Sequence, residues 1–217
     1  MSLRLALVLL ALLTLPVSVG AQDCVTVENF SKGKIGEFPP DWKPRKDSGR
    51  EVYSIQERDG LRFLRALARG LGIQAARQYE WEPKVYPVLA WSWRPVEFPK
   101  GSDERQSKTN DSAVAVYAVF PHSPWSVKSL KYIWSAVVPV GTRLDSSAGL
   151  TQALVIQSGT ERKGQWTEER VNVLEDYKKF FSETDTPKAS GIAVLTDSDD
   201  TKSVAQGDYS NFRVCKP

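Results

Sequence analysis

Seven tryptophans give this 217-residue chain a large supply of flat aromatic surface. Indole rings can stack on the CH faces of a sugar when exposed, and they fill hydrophobic cores when buried. Polar residues directly adjoin Trp93, Trp134 and Trp166, which favours exposure of these rings. For any single tryptophan the alternative is a place in the core. The predicted ligand-binding set is Trp91, Trp93, Arg94, Asn110, Asp111, Tyr132, Trp134 and Trp166.

Asn110 and Asp111 stand where a polar, charged segment (residues 100–110) enters an apolar run. Their side chains could orient a ligand at the edge of the domain, together with Arg94. The alternative is a capping role, because Asn and Asp side chains accept hydrogen bonds from the backbone of nearby turns. We expect the polar segment itself to form an exposed and mobile loop.

An acidic turn near the end of the chain is a candidate metal site. Asp197, Asp199 and Asp200 offer carboxylate oxygens, which Ca²⁺ prefers. The turn lacks the glycine and glutamate of the twelve-residue calcium loop, and the alternative is a solvated turn. By fold analogy, Glu28 and Asp208 form a second calcium hypothesis if the terminal strands are neighbours.

No catalytic residues can be assigned from the sequence. His122 is the single histidine, and its position between prolines is typical of a surface loop. Paired carboxylates can hydrolyse glycosides, but Glu168, Glu169 and Glu175 lie in or near a predicted helix, where charged residues usually face solvent. Phosphate-binding glycine loops and dinucleotide fingerprints are absent from the sequence.

Residues 1–21 have the layout of a secretory signal peptide. Arg4 gives a positive start, residues 5–15 are apolar apart from one threonine, and residues 19–21 are small. The apolar run is too short for a permanent transmembrane helix. We therefore expect cleavage, a single domain over residues 22–217, a periplasmic or secreted location and no stable membrane insertion.

Charge and cysteine content narrow the class of protein further. The formal net charge of +3 gives no electrostatic case for nucleic acid or an anionic membrane. The two cysteines, Cys24 and Cys215, stand near opposite ends of the exported chain. In an oxidising compartment the simplest prediction is a disulfide, which requires the first and last strands to be neighbours. The alternative is two unrelated thiols.

Short runs of β-type residues between turn residues dominate the rest of the chain. Asp59-Gly60 between alternating runs predicts a hairpin, although residues 61–71 also suit a helix face. The run at 88–94 places Trp91 and Trp93 on one face, since strand side chains repeat every two residues. Residues 113–120 are apolar on both faces, which is typical of a central strand. Further strands are predicted at 24–28, 130–138, 152–157, 191–195 and 208–214.

One segment, residues 171–181, has helical spacing of apolar residues, with Asn172 as a candidate N-cap. About nine to eleven strands and one short helix together predict an all-β, jelly-roll-like β-sandwich.

Several motifs in combination resemble known proteins. Glu28-Asn29-Phe30 and Pro39-Pro40-Asp41-Trp42 resemble the opening of sugar-binding β-sandwich modules. The motifs WSWR (91–94), TNDSAVAVYAVF (109–120), LKYIW (130–134), GQWTEERVNVLEDYKKFF (164–181) and GIAVLTDSDDT (191–201) resemble a family of exported bacterial proteins of unestablished function. The resemblance covers nearly all of the chain after the leader. It implies a jelly-roll sandwich similar to carbohydrate-binding modules and to a domain of a complex I assembly factor, and it implies no activity.

The leading hypothesis from the sequence is an exported, non-catalytic β-sandwich that binds a glycan or another envelope ligand. The competing hypothesis is a structural or assembly protein of the cell envelope that uses the same face for a protein partner. A carbohydrate-active enzyme is the third class. Calcium, at the acidic turn or between Glu28 and Asp208, is the one cofactor hypothesis.

Overall fold

The computed structural model describes residues 23–146 and 148–217. Within them, thirteen strands form two sheets. Sheet 1 contains β1 (Cys24–Glu28), β3 (Tyr53–Arg58), β4 (Leu61–Arg69), β6 (Val88–Glu97), β11 (Thr167–Asn172) and β13 (Val204–Cys215). Sheet 2 contains β2 (Trp42–Pro44), β5 (Ala75–Trp81), β7 (Val114–Ser123), β8 (Ser126–Ser135), β9 (Arg143–Ser146), β10 (Thr151–Ser158) and β12 (Ala189–Leu195). The predicted signal peptide lies outside the described residues.

The strand order explains how the sandwich is assembled. Sheet 1 runs β11-β6-β13-β4-β3, with β1 beside the end of β13, and sheet 2 runs β2-β5-β12-β7-β8-β10-β9. One core lies between the sheets, and large aromatic side chains fill much of it. The predicted all-β, jelly-roll-like β-sandwich is confirmed.

Turn chemistry and apolar patterning account for the strands that the sequence predicts. Asp59 and Gly60 both have positive φ, 53° and 76°, and join β3 to β4 as a tight hairpin. The segment after them is therefore a strand and not a helix, as predicted. The doubly apolar strand β7 lies between β12 and β8 inside sheet 2, as its sequence predicts.

The two chain ends are joined as predicted. Cys24 and Cys215 are directly opposite in the β1–β13 ladder, with Cα atoms 4.0 Å apart, and they form a disulfide. The side chain of Glu28, at the end of β1, accepts hydrogen bonds from the backbone N–H groups of Asn29 and Phe30. The disulfide and the β1–β13 ladder fix the first strand against the body of the domain.

Two helices are present in the described residues, where the sequence predicted one. The predicted helix is α2 (Val173–Phe181), and the Asn172 side chain accepts from the Glu175 N–H at 3.1 Å, which confirms the N-cap. A four-residue helix, α1 (Gly49–Val52), was not predicted. None of the described helices combines the length and apolar character needed to cross a bilayer.

The polar segment at 100–110 is not uniformly exposed. Glu104 is buried and accepts hydrogen bonds from the hydroxyl groups of Ser112, at 3.3 Å, and Ser135, at 2.5 Å. Burial raises the pKa of the Glu104 carboxyl above its usual range. The expectation of an exposed loop is wrong at this residue, because its carboxylate finds two hydroxyl donors inside the fold.

Candidate ligand-binding groove

The outer face of sheet 2 carries a groove that crosses its strands. The β-ladders place five residues in one row from β5 to β10: Ala76, Ala193, Tyr117, Lys131 and Ala153. Directly paired residues project from the same face of a sheet, so their side chains share the outer surface. Alanines on both sides of Tyr117 and Lys131 leave space above the sheet. We call this surface the groove.

A second row widens the groove on one side, and a third row closes it on the other. Val119, Ser129 and Thr151 are paired across β7, β8 and β10 and border the open space. On the opposite side, the row through Ala115 and Ile133 is buried, and Val138 packs with it. The floor of the groove is buried at Ala193, Tyr117, Lys131 and Ala153 of the first row and at Ser129 of the second, and the third row bounds it.

Three adjoining cavities make up the open space of the groove. The largest, of about 500 Å³, is lined by Arg45, Gly72, Gln74, Tyr117, Trp125, Ser126, Val127, Ser129, Lys131, Leu150, Thr151 and Leu195. A cavity of about 270 Å³ follows towards β2 and includes Lys43, Ala76, Val119 and Gly191. One of about 240 Å³ lies beside Arg45, Lys46, Gly72 and Ile73. Their combined size suits an extended ligand.

The groove combines aromatic and polar side chains. Trp125 occupies the two-residue turn between β7 and β8 and is 96% exposed. Gln74, Ser129 and Thr151 line the same cavity with amide and hydroxyl groups. Exposed indole stacks on apolar ligand surface, and amides and hydroxyls exchange hydrogen bonds with a polyhydroxylated ligand.

Lys131 is the charged residue inside the groove. Its ammonium lies 5.7 Å from the centre of the Tyr117 ring, and the residue is buried. Burial lowers the pKa of Lys131, but Tyr117 and the nearby carboxylate of Asp197 outweigh this effect, so the pKa lies above its usual value. Lys131 is therefore a fixed positive charge at neutral pH.

An acidic cluster lies beside one end of the groove. Asp111, Asp197 and Asp199 each place one carboxylate oxygen within 4.8 Å of the others. Burial, with a contribution from the two neighbouring carboxylates, raises the pKa of Asp197 to about 7. The predicted metal set was Asp197, Asp199 and Asp200, and the structure groups Asp111 with the first two.

Two of the three carboxylates in this cluster accept hydrogen bonds from the backbone. Asp111 accepts hydrogen bonds from the backbone N–H groups of Asp200, at 3.2 Å, and Thr201, at 2.7 Å, and Asp197 accepts from the N–H of Ser112 at 2.7 Å. Asp111 thus has the capping role that was the alternative to ligand binding. Carboxylate oxygens suit Ca²⁺, and calcium at this cluster stays a prediction.

The second calcium hypothesis, Glu28 with Asp208, is wrong. Glu28 accepts hydrogen bonds from Trp42 Nε1 at 3.0 Å and Arg77 at 2.5 Å. Asp208 is fully buried, and its oxygens are held by the guanidinium groups of Arg65 and Arg94. Each carboxylate is neutralised by arginine, and the two do not converge on a shared site.

Four of the predicted ligand-binding aromatics lie in the core. Trp91, Trp93, Tyr132 and Trp134 are at most 1% exposed, so the expected exposure is wrong for these three tryptophans, whereas Trp166 is half-buried. Their polar atoms are mostly satisfied inside: Trp93 Nε1 donates to Glu169, Tyr132 to Asp176 and Trp134 to the Gly159 carbonyl. Burial of apolar ring surface outweighs the polar neighbours that suggested exposure.

Arg94 and Trp166 come together on the outer face of sheet 1, away from the groove. The Arg94 guanidinium carbon lies 4.8 Å from the centre of the Trp166 ring and 5.5 Å from that of Phe63. A cavity of about 360 Å³ adjoins these residues. Asn110 is half-buried near the acidic cluster. The predicted ligand-binding residues therefore do not form a single site.

The predicted ligand-binding set lacks Tyr117, Trp125 and Lys131, which are central to the groove. For Trp125 a signal was present, because it follows Pro124 in the same proline-containing segment that indicated a surface position for His122. Both residues are exposed. For Tyr117 and Lys131 no local signal exists, because their meeting depends on the pairing of β7 with β8.

Comparison with solved structures finds distant neighbours. The glycoside hydrolase domain of Spr0440, Endo-D, from Streptococcus pneumoniae R6 aligns with a TM-score of 0.40 and 9% identity, over 80% of this chain and 21% of that chain. TmCBM27, a carbohydrate-binding module with specific mannan recognition, aligns with a TM-score of 0.37 and 13% identity, over 82% of this chain and 89% of that chain.

A third neighbour is the xyloglucanase domain of NopAA, a type three effector from Sinorhizobium fredii, solved with cellobiose. It aligns with a TM-score of 0.33 and 12% identity, over 81% of this chain and 98% of that chain. No curated protein matches the chain. A family model described as a protein of unknown function, DUF3047, matches residues 40–213, and the chain belongs to this family.

Proposed function

We propose that this protein is an exported, non-catalytic β-sandwich that binds a polysaccharide in the groove of sheet 2. The observation that carries the proposal is the composition of the groove. A fully exposed indole, Trp125, lines the same cavity as Tyr117 and Lys131, which lie at the centre of a row with three alanines. Hydroxyl and amide groups line the same space. This arrangement offers both stacking and hydrogen bonding to a polyhydroxylated chain.

The shape of the groove favours a polymer over a small compact ligand. Cavities of about 270 and 500 Å³ adjoin along rows that cross several strands. A chain of several sugar units laid across the strands can contact Trp125 at one end and the alanine-lined space beside Ala76 at the other. The open sides of the groove allow the polymer to continue beyond the domain.

Export is the second part of the proposal. The N-terminal residues have the pattern of a cleaved leader, and the Cys24–Cys215 disulfide requires an oxidising compartment to form and persist. A periplasmic or secreted location gives the protein access to envelope or extracellular polysaccharides.

The test is a quantitative binding assay against a panel of soluble and insoluble polysaccharides, with Trp125→Ala and Trp166→Ala compared. Both variants remove a partly or fully exposed indole, but from opposite sheets. Trp125→Ala should weaken binding by roughly ten-fold or more, since an aromatic contact contributes about 1 kcal/mol beyond its buried area. Trp166→Ala should bind like the wild type.

The reverse result would move the site to the Arg94–Trp166 surface of sheet 1 and contradict the groove. Absence of binding to every polysaccharide would contradict the function itself. Both variants must retain the unfolding midpoint of the wild type for the comparison to hold.

An envelope assembly protein with a protein partner is the second candidate. The observation that favours it is apolar exposure near the groove: Val137 and Val140 are 55% and 61% exposed, and Val127 beside Trp125 is 48% exposed. Co-purification of a defined envelope protein, lost in Val137→Ser/Val140→Ser and accompanied by no polysaccharide binding, would select this function.

A further inference from the structure

We propose that the groove selects an acidic polysaccharide, one whose sugar units carry carboxylate or sulfate groups. This inference rests on the proposed polysaccharide binding and adds the charge class of the ligand. It comes from the distribution of charged side chains along the groove, which differs from the nearly balanced charge of the whole chain.

Basic residues follow one side of the groove. Lys43, Arg45 and Lys46 lie in β2 and the segment that follows it, and all three are exposed. Lys43 lines the 270 Å³ cavity, Arg45 lines the 500 Å³ cavity, and Arg45 and Lys46 both line the 240 Å³ cavity. Together with Lys131 on β8, they place positive charge from the β2 end of the groove to its centre.

These three exposed basic residues have no carboxylate partner among the described residues, unlike many others in the chain. Lys84 pairs with Asp185 at 2.7 Å and Lys163 with Glu97 at 2.6 Å, for example. Side chains that are not committed to an internal ion pair keep their full charge for a ligand.

The acidic residues near the groove do not cancel this charge. Among the described residues, no Asp or Glu lines the cavities of 500 and 240 Å³. Asp41 lines the 270 Å³ cavity but is paired with Arg77 at 3.1 Å, and Asp197 and Asp199 lie against Gly72 and are not lining residues of these cavities. Asp197 compensates part of the charge of the buried Lys131, so the exposed Lys43, Arg45 and Lys46 carry most of the preference.

The expected preference for a charged polymer follows from ion pairs at a solvent-exposed surface. An ion pair whose two unit charges lie about 4 Å apart in water raises the association constant roughly five-fold at low salt. Two or three such contacts give a preference of at least ten-fold for a charged polymer over the same polymer without charge. Added salt should reduce this preference, because the Debye length falls to about 8 Å at 0.15 M ionic strength.

The experiment compares ligands that differ only in charge. Polygalacturonate is compared with its methyl ester, and dextran sulfate with dextran, in affinity titrations at 50 and 300 mM NaCl. The protein variants are Lys43→Gln/Arg45→Gln/Lys46→Gln and a control triple variant, Lys108→Gln/Lys188→Gln/Lys202→Gln. The control removes three exposed lysines that do not line the groove, so both variants change the net charge equally.

We expect the charged polymers to bind at least ten-fold more tightly than their neutral partners at 50 mM NaCl. The groove variant should lose most of this preference and the control variant should keep it. Binding of polygalacturonate alone would identify carboxylate as the recognised group, and binding of dextran sulfate alone would identify sulfate.

Equal affinity for charged and neutral polymers, or equal losses in the two triple variants, would overturn the acidic preference. If Trp125→Ala still weakened binding in that case, the proposed polysaccharide function would stand without the acidic preference. If no charged or neutral polysaccharide bound at all, the proposed function would fail and this inference with it.

Discussion

Removal of the Cys24–Cys215 disulfide should strongly destabilise the domain. The two cysteines are 191 residues apart in sequence, so the bond closes nearly the whole described chain into one loop. The chain-entropy relation for a loop of this length gives about 5 kcal/mol of stabilisation, acting mainly on the unfolded state. Native disulfides in secreted domains contribute about 2–5 kcal/mol, so this bond belongs at the upper end.

The assay is guanidinium unfolding followed by tryptophan fluorescence, because Trp91, Trp93 and Trp134 are buried and report on loss of the core. Cys24→Ser/Cys215→Ser should unfold at a midpoint roughly 1 M lower than the oxidised wild type, given the guanidinium dependence of a domain of this size. The reduced wild type is the control and should match the double variant, since both lack the same covalent link.

Two results would refute the reasoning. One is a change in unfolding free energy below about 1 kcal/mol in the double variant, which would show that the link does not restrict the unfolded chain. The other is a titration that finds two free thiols in protein isolated from an oxidising compartment. The second result would also remove the disulfide as support for export.

The acidic cluster gives two further predictions. Burial raises the pKa of Asp197 from 3.8 to about 7, so the folded state binds this proton more tightly than the unfolded state. The stability that the protonated carboxyl contributes is therefore fully present below about pH 4 and is lost as the pH rises through 7. In EDTA, the free energy of unfolding of the wild type should therefore fall by up to about 4 kcal/mol relative to that of Asp197→Asn between pH 4 and 7.5. The same pH dependence of the unfolding free energy in both proteins would contradict this prediction. If calcium binds Asp111, Asp197 and Asp199, millimolar Ca²⁺ at pH 7.5 should raise the Tm of the wild type but not of Asp197→Asn, whereas an unchanged Tm in both would exclude the metal hypothesis.

The parts of the fold that depend on local patterning could be predicted from the sequence. The hairpin across Asp59-Gly60 follows from positive φ at the turn, and the start of α2 follows from the Asn172 side chain. The neighbouring terminal strands followed from the chemistry of two cysteines in an oxidising compartment. Short edge strands such as β2 and β9 were missed, because three or four residues carry too little periodicity to identify.

The functional surface could not be predicted, for a different reason. Alternation showed that Trp91 and Trp93 share a face, but it does not say whether that face points inward or outward. In the structure both indoles face inward. Arg94, the residue after Trp93 in the strand, therefore faces outward. The groove instead depends on which strands are neighbours, and strand order is a long-range property of the sheet.

Glu104 explains why the polar loop at 100–110 is not exposed along its whole length, although its composition predicts exposure. The same residue anchors the loop beside the acidic cluster. The loop at 100–110 is strongly polar, yet the Glu104 carboxylate is held by the hydroxyls of Ser112 and Ser135, which lie at the ends of the loop and of β8. An exposed loop would leave both buried serine hydroxyls without this acceptor, at a cost of about 1–3 kcal/mol each. Polar residues inside a loop can therefore be what holds the loop in place. Its anchorage beside Asp111 and Asp197 keeps the acidic cluster at one end of the groove, and the basic side of the groove, at Lys43, Arg45 and Lys46, stays open to a ligand.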